Sequence, residues 1–230
     1  MKKLIIILAA VLAVVSCNST SIRQSESARQ RFTVSLNSAQ IPLGEVEVQF
    51  LRAFGGLRQD TAEVIYFPQE DAVCLQYQGD LGTTYHQFWS SEGRIAFLRA
   101  LGQYKIDYDA RNLNSNNSRT RAIYGSVEGF LIWQSYSFSI RANGNMSLEL
   151  GYQFRDRLPY FSISQREADY VDANTESRNR TSTVVNMHFT RAQADELAAF
   201  FEPMFLQGLA RQGIPLDTNN FEVDYYDTLD

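Results

Sequence analysis

Apolar and polar residues alternate along much of the chain, which is the pattern of a β-strand with one buried face. Phe32, Val34 and Leu36 alternate with polar neighbours in the first such segment. Glycine, proline and Gly-Asp clusters separate the following segments and are typical of turns. The alternation predicts strands over residues 31–36, 45–50, 62–67, 72–77 and 83–89. Because the intervening turns are short, we expect antiparallel pairing of neighbours.

A second series of strands follows the polar, asparagine-rich residues 112–118, which form the best internal boundary. Within this series, Asn143-Gly144-Asn145 has the composition of a tight hairpin turn, since Asn and Gly tolerate positive φ angles. The pattern predicts strands over residues 122–127, 129–141, 146–154, 160–164 and 183–189.

Two segments have the longer period of an amphipathic helix instead. Ile95, Leu98 and Leu101 form an apolar stripe after the possible N-caps Ser90 and Ser91, which predicts a helix over about residues 91–103. The second helix is predicted over residues 190–211. Thr190 and Gln193 have the spacing of a capping box, and Pro203 is expected to kink or break that helix.

The element order predicts an α+β fold with predominantly antiparallel sheet and two helices. Strands followed by a helix occur twice, which suggests two similar sheet-plus-helix halves, residues 31–111 and 119–213, sharing one core. The alternative is one α+β domain over residues 31–230 in which this similarity is a coincidence. Three interpretations of the acidic, aromatic tail, residues 214–230, stay open: an edge strand, a loose end or a partner-binding segment.

The N-terminus has the organisation of an export signal. Lys2 and Lys3 precede an unbroken apolar run to Val15, which is too short to span a bilayer. The residues Val14-Val15-Ser16-Cys17 resemble the lipobox of bacterial lipoproteins. The resemblance implies removal of residues 1–16 and acylation of Cys17, which would anchor the protein to a membrane of the cell envelope. By resemblance to enterobacterial lipoproteins, Asn18 favours the outer membrane where the cell has one.

Composition limits the partners of the mature chain. The serine-rich residues 18–30 predict a flexible tether, about 20 Å long on average as a coil. With Lys2 and Lys3 removed, 19 basic residues oppose 26 acidic ones, and the net charge of −7 disfavours nucleic acid and anionic membrane surfaces. The remaining Cys74 lies in a strand-like run, where we expect a buried, unreactive thiol.

Arginine is the one residue type whose spacing suggests a binding function. Residues two apart in a strand project to the same side, so an Arg-x-Arg pair can present two planar guanidinium groups to a carboxylate or phosphate. The alternative is that these pairs lie in water at strand ends. Besides the pair Arg29 and Arg31, the candidates are Arg119, Arg121, Arg155, Arg157, Arg178 and Arg180.

No motif of a catalytic site, a phosphate loop or a dinucleotide site is found, and we predict no cofactor. His86 and His188 lack the neighbouring ligands of a metal site, so no metal is predicted. We therefore expect a lipid-anchored binding or scaffold module that contacts another envelope protein or an acidic envelope molecule. Two alternatives stay open: a hydrolase with its site between the two halves, and a lipid carrier with an apolar cavity between sheet and helix.

Overall fold

A computed structural model describes residues 32–52, 55–79, 82–114, 122–135, 141–168 and 181–211. The strands and helices are β1 (Ile41–Leu51), β2 (Leu57–Phe67), β3 (Ala72–Gln78), β4 (Thr83–Trp89), α1 (Ser91–Asp109), β5 (Ala122–Ser135), β6 (Arg141–Arg155), β7 (Leu158–Gln165), β8 (Val185–Phe189), α2 (Arg191–Phe201) and α3 (Pro203–Arg211).

All eight strands form one closed antiparallel barrel in sequence order. The α+β prediction of two sheet-plus-helix halves is therefore wrong. β4 pairs with β5 across the predicted boundary, from Thr83 opposite Ser135 to Phe88 opposite Phe130. β8 closes the ring against β1, where Phe50 lies opposite Met187. Each of the eight described strands pairs with a strand on both sides, so the sheet has no boundary at which two halves could separate.

Alternation explains how the strands fill the barrel. Val46, Val48 and Phe50 of β1 are buried on one face while their neighbours are more exposed, and the same period continues in β2. In an eight-stranded barrel, inward side chains are just sufficient to fill the interior. The inward residues form one buried cluster that also includes Phe97, Leu101 and Phe201 from the helices.

Both predicted helices are found, with different limits. α1 begins at the predicted residue after its N-cap Ser90, but it continues to Asp109, six residues beyond the predicted end at 103. The capping box of Thr190 and Gln193 is confirmed, and the helical segment is broken at Glu202, next to Pro203, as predicted. None of the helices in the described ranges is long and apolar enough to cross a membrane.

The strand predicted over residues 31–36 is wrong for its described residues. Residues 32–40 form turns and irregular chain, and Val34 is buried against the outside of the barrel, with Phe32 and Leu36 packed beside it. We call this stretch the N-terminal segment. It covers a second apolar cluster, the outer cluster, which also contains Phe67, Ala72, Cys74, Phe88, Phe130 and Ile132. The alternation of Phe32, Val34 and Leu36 therefore marks one-sided packing without strand pairing.

The predicted hairpin at Asn143-Gly144-Asn145 is also wrong, because these residues lie inside β6 and pair with Leu131 and its neighbours on β5. The tight turn occurs at Asp156-Arg157, between the paired residues Arg155 and Leu158. Its φ angles are 48° and 69°, and two positive angles are typical of a type I′ hairpin turn. The two strands predicted over 122–127 and 129–141 are one strand, β5, as far as Ser135. Residues 136–140 lie outside the described ranges.

Candidate functional site

An open groove lies where the end of α1 meets the β6–β7 hairpin. It has a volume of about 490 Å³ and is lined by Tyr108, Asp109, Arg111, Leu113, Phe154 and Pro159. The last two residues face each other as a cross-strand pair next to the hairpin turn. We call this feature the hairpin groove. Its walls combine aromatic and aliphatic surface with ionised groups, a combination typical of ligand-binding sites.

The C-terminus of α1 places Arg111 in the groove through a left-handed turn. The amide of Ala110 donates to the Ile106 carbonyl and that of Asn112 donates to the Asp107 carbonyl, at 3.0 and 2.9 Å. Arg111 has a φ of 57° between them. Glycine normally occupies this left-handed position after a helix, because a side chain there costs about 1 kcal/mol.

Arg191, the first residue of α2, fixes one wall of the groove. Its guanidinium donates to both carboxylate oxygens of Asp109, at 2.7 and 3.4 Å, and lies 5.4 Å from the centre of the Tyr108 ring. The hydrogen bond and the charge of Asp109 raise the pKa of Arg191, which therefore stays charged. Stacking of a guanidinium on an aromatic face holds both groups in place.

Two partly buried tyrosine hydroxyls support this wall. Tyr124 donates to Asp107 at 2.8 Å. Desolvation, followed by the hydrogen bond to Asp107, raises the pKa of Tyr124, and desolvation also raises the pKa of Tyr104. Both hydroxyls therefore stay protonated and serve as donors; that of Tyr104 reaches the Pro159 carbonyl at 3.1 Å. Hydrogen bonds therefore connect α1, which lines the groove, to β5 and to the β6–β7 hairpin.

Only two of the six arginines predicted to bind a ligand lie in the described ranges. Arg157 is at the tip of the β6–β7 hairpin, whose flanking residues Phe154 and Pro159 line the groove. Arg155 donates to Gln153 at 3.0 Å on the other face of β6, where His188 also meets Gln153 at 2.9 Å. Arg155 and Arg157 are therefore not two guanidinium groups on one strand face, because a hairpin turn begins between them. Arg119, Arg121, Arg178 and Arg180 lie outside the described residues, as does Cys17.

Cys74 is buried, as predicted, and lies in the outer cluster beneath the N-terminal segment. Desolvation raises the pKa of its thiol, so the reactive thiolate form is suppressed. His86 is two residues from Phe88, which lies opposite Cys74 across the β3–β4 pairing. Among the described residues, no group of three or more His, Cys, Asp or Glu side chains could hold a metal ion.

The barrel interior contains a chain of polar side chains that the sequence analysis did not single out. The indole of Trp89 donates to Gln87 Oε1, whose own amide nitrogen donates to Gln165 Oε1, both at 2.9 Å. The Tyr77 hydroxyl donates to the same Gln165 oxygen at 2.9 Å. An indole N–H can only donate, which fixes the orientation of both amides. A signal was present in the sequence: Gln87 and Gln165 occupy inward positions of otherwise apolar strands.

The space between the barrel and its helices is occupied by aromatic rings. Trp89 contacts Phe97 and Phe201 with ring centres 5.9 and 5.2 Å apart, and Phe97 contacts Phe161 at 5.3 Å. These distances are those of packed ring pairs. An apolar cavity between sheet and helix, which the lipid-carrier alternative required, is filled at these described positions.

Comparison with known proteins places the chain in a family. A family model described as "Uncharacterised Treponema protein" matches residues 19–207. No curated protein matches the chain. No solved structure matches it either. Because the matched segment covers most of the 230 residues, the chain belongs to the family of uncharacterised Treponema proteins.

Proposed function

We propose that the protein is a lipid-anchored cell-envelope binding module and that its ligand contacts the hairpin groove. The observation that carries the proposal is an open groove of about 490 Å³ on a barrel whose interior is filled by its own side chains. A filled interior leaves the outside of the barrel for recognition. The groove combines apolar surface with charged side chains, as a binding site requires, and four of its six lining residues belong to α1, β6 and β7.

The anchor is the second part of the proposal. The lipobox resemblance at Val14-Val15-Ser16-Cys17 supports acylation of Cys17, and the tether of residues 18–30 would let the domain stand off from the lipid. The net charge of −7 on the mature chain disfavours direct binding of the domain to an anionic bilayer. The outer membrane is the proposed location in a cell that has one.

The anchor is tested by replacing each of the two cysteines separately. Cys17→Ala should abolish incorporation of labelled fatty acid and move the protein from the membrane fraction to the soluble fraction. Cys74→Ala is the matched control, because Cys74 is buried inside the folded domain and should leave labelling unchanged. Labelling that survives Cys17→Ala would exclude a lipid on that residue.

The binding role is tested by site-specific cross-linking in cells. A photoreactive amino acid at Leu113, inside the groove, should give a discrete cross-linked product. The same amino acid at Gln59, an exposed position on β2, is the control and should give none above background. Equal products at both positions, or none at Leu113, would reject the groove as the binding face.

A further inference from the structure

Two arginines beside the hairpin groove have backbone conformations that favour glycine. Arg111 has a φ of 57° at the end of α1, and Arg157 has a φ of 69° in the β6–β7 turn. Glycine is the commonest residue at the corresponding position of both motifs, because it has no side chain to clash in the left-handed region. Two residues beside the same groove therefore have backbone conformations that are unfavourable for a residue with a side chain.

Stability alone does not explain this use of arginine. A positive charge beyond a helix C-terminus is favourable, but a lysine would supply that charge equally well. Residues held in costly backbone conformations concentrate at functional sites, where the side chain is what matters.

The charge at the groove is opposite to that of the chain. The lining residues of the groove include one arginine, Arg111, and one acidic residue, Asp109, and Arg191 of α2 pairs with that Asp109. Because Asp109 is already paired with Arg191, the guanidinium group of Arg111 is the positive charge that the lining offers to a ligand. Arg157 lies in the adjoining hairpin turn, two residues from the lining residue Pro159. A locally positive groove on a negative protein attracts and orients an anionic partner.

The floor of the groove is apolar, since Leu113, Phe154 and Pro159 line it. Inorganic phosphate or a free carboxylate would leave this surface uncovered. A ligand that uses both parts of the groove has carboxylates separated by aliphatic or aromatic side chains. A volume of about 490 Å³ suits a short peptide stretch of a few residues.

Given the binding role proposed above, on which this step rests, we infer that the hairpin groove takes an acidic peptide segment. The carboxylates of the segment bind the guanidinium groups of Arg111 and Arg157, and its apolar side chains pack on Leu113, Phe154 and Pro159. Planar guanidinium groups match carboxylates through paired hydrogen bonds, which a lysine cannot reproduce.

The test uses the full chain and two capped tetrapeptides, Leu-Asp-Phe-Glu and its neutral isostere Leu-Asn-Phe-Gln. Binding is followed by NMR shifts of the Leu113 and Phe154 amides. At low salt the acidic peptide should bind at least fivefold more tightly than the neutral one, and the ratio should fall in 0.5 M salt, where charges are screened beyond roughly 4 Å.

Substitutions at Arg111 separate binding from folding. Arg111→Gly and Arg111→Ala should each weaken acidic-peptide binding about three- to tenfold, while the Gly variant melts at a higher temperature than the Ala variant. Arg111→Lys should keep the melting temperature and still weaken binding. If binding follows melting temperature across these variants, the guanidinium has no recognition role and the inference is wrong.

The remaining outcomes distinguish the ligand class from the binding role. Equal affinity for the two peptides, or shifts that avoid the groove amides, overturns the acidic-peptide inference. If neither peptide binds but a photoreactive residue at Leu113 cross-links to a glycan in cells, the ligand class is wrong and the binding module stands. Failure of the Leu113 cross-link as well overturns both proposals.

Discussion

The guanidinium of Arg94 lies 2.7 Å from the carboxylate of Asp71 and joins the first turn of α1 to the turn between β2 and β3. Arg94 also donates to the backbone carbonyls of Asp71 and Trp89, at 2.6 and 3.2 Å. The Arg94 side chain is only 2% exposed, whereas that of Asp71 is 54% exposed. One buried cation therefore links the helix to two points of the barrel, and its carboxylate partner Asp71 is exposed to water.

Neutralising Asp71 should destabilise the protein more than neutralising an ordinary surface carboxylate. Asp71→Asn keeps the size and tolerates the φ of 46° at this position, but it leaves a buried guanidinium without a counter-charge. We expect a loss of about 1–3 kcal/mol in the free energy of unfolding, measured by urea denaturation. Asp60→Asn, which breaks a pair with Arg58, an arginine that is 25% exposed, is the control and should cost less than about 1 kcal/mol. Equal losses would contradict a special role for the buried cation.

His86 should make the barrel less stable in mild acid. Desolvation, aided by the positive charge of Arg141, lowers the pKa of His86 from 6.5 to about 4 in the folded protein. Between those values the unfolded chain binds a proton that the folded chain does not, so stability is complete above about pH 6.5 and falls as the pH drops toward 4. The loss is of the order of 2–3 kcal/mol.

The measurement compares wild type with His86→Phe by urea denaturation from pH 7.5 to about pH 4.5. Carboxylates titrate in both proteins, so the difference between the two curves isolates the histidine. We expect the free energy of unfolding of wild type to fall relative to that of the variant as the pH drops below 6.5. Parallel curves would show that the His86 pKa is not lowered by folding.

Cys74 should react with thiol reagents only when the N-terminal segment is loosened. Val34 is 7% exposed and belongs to the same outer cluster as Cys74, whose thiol is fully buried. Val34→Ala removes part of that cover and should raise the rate of Cys74 modification several-fold, because local opening becomes easier. Thr33→Ala, at an exposed neighbouring position, is the control and should leave the rate unchanged. Similar rates in both variants would show that Val34 does not protect the Cys74 thiol.

Local patterns predicted the elements better than their assembly. Period-two alternation placed β4 with its observed limits, and the capping box at Thr190 placed the start of α2. Barrel closure depends on the pairing of β1 with β8 across the whole chain, and no local pattern carries it. The Asn-Gly-Asn prediction failed because turn composition within residues 143–145 was outweighed by continuous pairing with β5.

The hairpin groove was only partly predictable. Arg157 was a candidate from its spacing to Arg155, yet the premise of a shared strand face was wrong, because the turn at Asp156 separates them. Arg111 was not considered, since a left-handed arginine after a helix has no sequence signature. Tyr108 and Phe154 are 46 positions apart and meet only through the fold.

Gln165 should be the most costly position at which to remove a polar side chain from the barrel interior. Its Oε1 accepts from both the Tyr77 hydroxyl and the Gln87 amide, and it is completely buried. Gln165→Leu leaves both donors without an acceptor, and an orphaned buried donor costs about 1–3 kcal/mol. Gln165 Nε2, which has no partner among the described residues, offsets a part of this loss when it is removed. We therefore expect a net loss of about 2–4 kcal/mol in the free energy of unfolding.

Gln134→Leu, on an exposed position of β5, is the matched control and should change the free energy of unfolding by less than about 0.5 kcal/mol. A double variant that also carries Gln87→Leu tests whether the two amides act together. Their shared hydrogen bond predicts that the double loss is smaller than the sum of the single losses, by about 0.5–3 kcal/mol. Strictly additive losses would show that the Trp89–Gln87–Gln165 chain is not a connected network, and a Gln165→Leu variant as stable as Gln134→Leu would show that its hydrogen bonds contribute nothing.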